Sequence, residues 1–70
     1  MDELEELLKE AEFHLQPDHR QSRYADYLIA KFIIRGGRKT HKEIYEQFKK
    51  NHPDRDWDDL EKNPHIYLDL

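Results

Sequence analysis

Seventy residues, 40% charged and 36% hydrophobic, with no cysteine, bound this chain to one domain, which buries only about 60% of its unfolded surface and has no disulfide or thiolate metal site to staple it. A mean hydropathy of −1.20, with no apolar run near the roughly 18 residues of a membrane span, argues against a membrane partner, and the acidic start Met1-Asp2-Glu3-Leu4-Glu5-Glu6 is unlike a secretory leader. The net charge of −4 argues weakly against a nucleic-acid partner on its own, and the size argues against an enzyme with a deep pocket. The expected location is cytoplasmic, or nucleoid or nuclear if the chain binds DNA, and not secreted.

Leu4, Leu7, Leu8, Ala11 and Leu15 recur at i, i+3, i+4, i+7 and i+11, one stripe of an amphipathic helix that Pro17 stops. Asp2, Glu3, Glu5, Glu6, Glu10 and Glu12 against Lys9 give residues 2–12 a net charge of −5. Residues 1–17 are therefore read as an acidic amphipathic helix, and 18–70 as the compact remainder of one folding unit. Asp18 with Gln21, or Ser22, is placed to cap the next helix, about Arg20 to Arg35. Its stripe of Ala25, Leu28, Ile29, Phe32 and Ile33 is widened by Tyr24, Tyr27, Ala30 and Ile34, as expected of the buried centre of a domain. Gly36-Gly37 supplies a left-handed helix end.

Thr40-His41-Lys42-Glu43 has the form of a capping box. It predicts a helix to about Asn51 with Ile44, Tyr45 and Phe48 inward, ended by Pro53. Asp54 or Asp56 caps a short helix, Trp57 to Lys62, with Trp57 and Leu60 on one side and Trp57 assigned to the core. Beyond the Asn63-Pro64 breaker, His65 to Leu70 alternates with Ile66, Leu68 and Leu70 on one face, the pattern of a strand. Residues 20–50 carry a net +6 and residues 54–70 a net −4; Asp18 completes the total.

A lone strand needs a partner for its backbone, and Gly37 to Thr40 is the other short extended candidate. The expected fold is thus mainly α: three to four helices with a short C-terminal strand. The run Gly-Gly-Arg-Lys-Thr-His-Lys-Glu-Ile, followed by Trp-x-x-Leu-Glu-Lys-Asn-Pro-x-Ile-Tyr-Leu, resembles a reduced winged-helix, or helix-turn-helix-like, small domain over about residues 23–70. The resemblance implies DNA binding or transcription regulation, with Trp57 to Lys62 as third helix and Ile66 to Leu70 as a wing. The third helix departs from that role, because Asp56, Asp58, Asp59 and Glu61 would repel phosphate. The cations lie elsewhere: Arg35, Arg38, Lys39 and Lys42 around the Gly-Gly turn, with Lys49 and Lys50 near the far end of the following helix. These are the candidate nucleic-acid contacts, through phosphates rather than bases.

The alternative is a protein-interaction adaptor or regulator using its acidic helices, with Asp58, Asp59, Glu61 and Tyr45 as its surface. In that reading the acidic first helix clamps the basic turn of its own domain, or its leucine stripe pairs with a second copy as a homodimer. His52-Pro53-Asp54 after Lys49 and Lys50 also resembles the signature of J-domain co-chaperones, which implies those residues engage a chaperone ATPase. That family needs a long helix after the loop, and Asn63-Pro64 interrupts the chain here. No histidine pair lies at i, i+4 in one helix and no Gly-rich phosphate loop is present, so no catalytic residue, metal or cofactor is expected.

Overall fold

The computed structural model describes residues 2–19 and 21–69. Its order is α1 (Glu3–His14), a 3₁₀ turn (Pro17–His19), α2 (Ser22–Ile34), α3 (Gly37–Thr40), α4 (Lys42–Asn51), α5 (Trp57–Lys62) and a second 3₁₀ turn (Pro64–Leu68). The chain is mainly helical, and no strand occurs among the described residues. Among the described residues, no helix is long and apolar enough to cross a membrane.

The fold is built around α2. Its Ala25, Ile29, Ala30 and Phe32 are fully enclosed, and Leu28 and Ile33 nearly so. Leu7, Leu8 and Ala11 of α1 pack along one side of it, while Tyr45 and Phe48 of α4 and Leu60 of α5 complete the same core. Most of the leucine stripe of α1 is therefore packed inside the molecule, with Leu4 and Leu15 partly buried against the core. Asp2 caps α1 by accepting from the Leu4 amide at 2.9 Å, and Gly36, at φ 81°, takes the left-handed turn that ends α2.

Several local expectations are corrected. The predicted strand is instead a 3₁₀ turn opened by buried Pro64. In a 3₁₀ turn residues i and i+3 share a side, so Pro64 and Tyr67 face inward and Ile66 stays 61% exposed; Leu70 lies outside the described residues. The intended partner segment is itself a helical turn, since the Lys39 and Thr40 amides donate to Gly36 O and the His41 amide to Gly37 O. With those amides consumed there is no ladder for a wing, and the winged-helix architecture goes with it. The capping box is displaced as well. Thr40 Oγ1 donates back to Gly36 O at 3.2 Å, and α4 starts at Lys42 behind His41 without a side-chain cap. Likewise α2 begins at Ser22 behind Gln21 with no side-chain cap; the Arg20 start expected for it lies outside the described residues. Ile44, expected inward, is 39% exposed. The J-domain expectation fails on length, because α5 has only 6 residues. His52 ends α4, its side chain pairs with Glu12, and its backbone oxygen accepts from Trp57 Nε1 at 2.8 Å.

Candidate nucleic-acid interface

The left-handed turn at Gly36 sends α3 off the end of α2, which brings Arg38 and Lys39 alongside the first turn of α4. There they meet Lys42 and, two turns further on, Lys49 across a groove of about 480 Å³. Lys42 and Lys49 share this side because seven residues make nearly two helical turns. Tyr45 backs the groove between them, and Glu46 and Glu61 are its carboxylates.

Glu61 organises this groove. Its carboxylate accepts from Tyr45 Oη and from Lys49 Nζ at 3.0 Å, and lies 3.8 Å from Arg38 Nη2. Burial pushes the Glu61 carboxyl up, but the Tyr45 and Lys49 hydrogen bonds outweigh it and hold it below the ordinary carboxylate value. Burial first, then the same carboxylate, pushes the Tyr45 phenol far above its usual value. The Lys49 ammonium also sits over the Tyr45 and Trp57 rings, 5.5 and 6.0 Å from their centroids. Lys39 and Lys42 are exposed and form no ion pair among the described residues.

Of the six predicted phosphate contacts, four therefore converge. Arg35 does not join them, since its guanidinium pairs with Glu3 of α1. Lys50 is exposed on α4 but does not line the groove. The acidic helix divides in the same way. Asp58 is exposed, whereas Asp59 accepts from Tyr67 Oη and Asn63 Nδ2, and Glu61 is turned into the groove. The Tyr67 hydrogen bond, then that of Asn63, holds Asp59 below the ordinary value, and the Asp59 bond pushes Tyr67 up to about 12. Tyr45 is 3% exposed, so it supports the site from behind and offers no free interface. Nothing in the linear sequence marks Glu61 as the hub, because its partners lie 12 or more positions away.

The acidic start of α1 does reach the basic turn, with Asp2 bonded to His41 and Glu3 to Arg35. Asp2, Glu5 and His41 also bring one ligand atom each within 4.8 Å of one another. A simpler account covers them. Asp2 and Glu5 stand at the Asx-x-x-Glu spacing of a helix start, and Asp2 is already shared between the Leu4 amide and His41. The His41 bond first, then the Leu4 amide, holds Asp2 below its ordinary value. A cation there would also oppose the positive end of α1.

A second groove, about 390 Å³, lies between α1 and α4 on the other side of α4, over Leu8, Ile44 and Phe48. Compared with models of protein families, with curated proteins and with solved structures, the chain matches none.

Proposed function

We propose that this protein is a small non-catalytic nucleic-acid-binding module that holds backbone phosphates in the groove of Arg38, Lys39, Lys42 and Lys49. The observation that supports this reading is the gathering of four cations from two helices into one groove that holds only Glu46 and Glu61 in return. Phosphate contacts of this kind fix a backbone without reading bases, so sequence preference is weak. The molecule's net charge opposes the ligand, and the local field of the groove has to overcome it. Such a module acts in the cytoplasm, nucleoid or nucleus, wherever its polyanion lies. The acidic-helix alternative has less support, because Asp59 and Glu61 already hold internal donors.

The test is fluorescence anisotropy of labelled random-sequence duplex and single-stranded DNA at about 50 and 200 mM salt. Two to four duplex phosphate contacts imply a loss of about 10- to 150-fold in affinity over that interval. Lys39→Glu with Lys42→Glu, both at exposed positions, abolishes binding while the melting curve stays in place. No binding at the lower salt, or binding that the double variant leaves intact, sinks the proposal.

A further inference from the structure

Two side chains of the basic turn are engaged by the start of α1. Arg35, the residue before Gly36, pairs with Glu3, and His41 Nε2 lies 2.5 Å from Asp2 Oδ2. Asp2 is the N-cap of α1 and Glu3 its first residue. The two acids are held differently. Asp2 is fixed by a second bond, accepting from the Leu4 amide at 2.9 Å. Glu3 makes no other side-chain hydrogen bond among the described residues; its side chain is 73% exposed and that of Arg35 43%. The helix that carries Glu3 is itself anchored, because Leu7, Leu8 and Ala11 are buried in the core.

We propose that Glu3 is a tethered competitor for phosphate: it occupies Arg35, a further cation of the basic turn, and so lowers the affinity of that turn for a polyanion. This rests on the phosphate-binding reading of the neighbouring groove. Arginine suits such an exchange, since its planar fork fits a carboxylate or a phosphate in the same geometry. An ion pair this open to water is weak, so an arriving phosphate displaces it by turning two side chains, and α1 need not move. The tether supplies the persistence that the pair itself lacks. With α1 packed in place, the Glu3 carboxylate stays within reach of Arg35 at a high effective concentration. Lys39 and Lys42 have no such competitor, as neither forms an ion pair among the described residues. They make the first contact, and Arg35 joins them only by giving up Glu3.

The probe is labelled random-sequence duplex DNA, titrated with the full chain at about 50 and 200 mM salt. Glu3→Gln is expected to tighten binding by up to about fivefold at the lower salt. It also steepens the salt slope by about 1, the count of one further cation. Glu10→Gln removes the same charge nearly two turns along α1, at an exposed position with no ion pair among the described residues. It gives a smaller gain and leaves the slope unchanged. Arg35→Gln cancels the gain of Glu3→Gln when the two are combined, and costs less affinity in the unsubstituted chain than in the Glu3→Gln chain. Glu3 stands at the positive end of α1, so neutralising it costs some stability, which weakens binding and cannot imitate a gain. If the unsubstituted chain does not bind, or binds without Lys39 and Lys42, the phosphate reading falls and this inference with it. If it binds through those lysines, but Glu3→Gln only matches Glu10→Gln or keeps its gain without Arg35, this inference alone falls.

Discussion

A Cβ placed on Gly37 would stand 2.5 Å from two ring carbons of Phe32, and Phe32 is wholly enclosed, so the ring has no free direction in which to move. Gly37→Ala is therefore expected to lower stability by about 1–3 kcal/mol through overpacking. Gly36 is the contrasting neighbour. An added methyl meets nothing within 4 Å there, but φ is +81°, and holding an L-residue left-handed costs about 1–2 kcal/mol. Urea titration separates the two causes. Gly36→Asn should recover most of the loss of Gly36→Ala, whereas no side chain at position 37 recovers glycine. Glu61 is the other residue whose chemistry exceeds its size. Glu61→Gln keeps an acceptor for Tyr45 but frees Arg38 and Lys49 from a carboxylate. Under the phosphate-binding reading it tightens DNA binding and steepens the salt slope by about 1 per cation released. An unchanged slope would mean that neither cation reaches the ligand.

Among the elements, α2 and α5 could be read from the chain because their signals were redundant. In α2 a stripe of Ala25, Leu28, Ile29, Phe32 and Ile33 coincides with a Gly-Gly end, and of the two candidate caps for α5, Asp54 and Asp56, it is Asp56 that accepts from the Asp59 amide. The C-terminal turn was not legible. Over six residues, alternation and a period of three differ by the placement of one or two side chains. What decides between them is whether a partner strand exists, which is a property of residues 37–40 and not of the turn. Ile44 was misplaced for a related reason: Ile44, Tyr45 and Phe48 span a wide arc of one helix, and three-dimensional packing chose Tyr45 and Phe48. The converging part of the basic site was legible as a charge cluster. The clamp of the acidic first helix on the basic turn was legible as an alternative, and Glu3 makes it with Arg35; the neutralisation of the groove by Glu61 was not, because ion pairs across long sequence separations leave no local trace. The turn itself is open to a direct check. Ile66→Ser should change stability by less than about 0.5 kcal/mol, as for an exposed site, while Tyr67→Phe, which takes from Asp59 one of its two side-chain donors, should lower the urea midpoint by more than Ile66→Ser does. A strand would invert that order, because Ile66 would then face the core.

At the scale of the whole molecule the buried and hydrogen-bonded acids set a pH dependence with a definite sign. Tyr67 is raised to about 12 and Tyr45 is raised further, while an unfolded tyrosine ionises near 10. Their contribution is fully present below about pH 10 and is lost as pH climbs toward and past 12. On the acid side Asp2, Asp59 and Glu61 are held low, so their contribution is present above the ordinary values of 3.8 to 4.5 and fades as pH falls through them. Asp26 runs the other way: burial raises it against the opposing pull of Arg55, which softens the acid limb without reversing it. Urea midpoints at about pH 3, 7 and 11 should therefore fall at both ends, and Tyr67→Phe should flatten the alkaline fall. An alkaline limb that is flat before any substitution contradicts the Tyr45 and Tyr67 geometry.

The central helix α2 takes its cover from both directions along the chain, from α1 before it and from α5 and the Pro64–Leu68 turn after it. During synthesis, then, α1 and α2 emerge as a pair with a large apolar face still uncovered, and Leu60, Tyr67 and Leu68 are among the last residues to reach it. A nascent chain arrested before Leu60 resembles a sticky hairpin more than a folded domain, a natural client for a chaperone. The emergence of Leu60 to Leu68 is the step that completes the cover of α2.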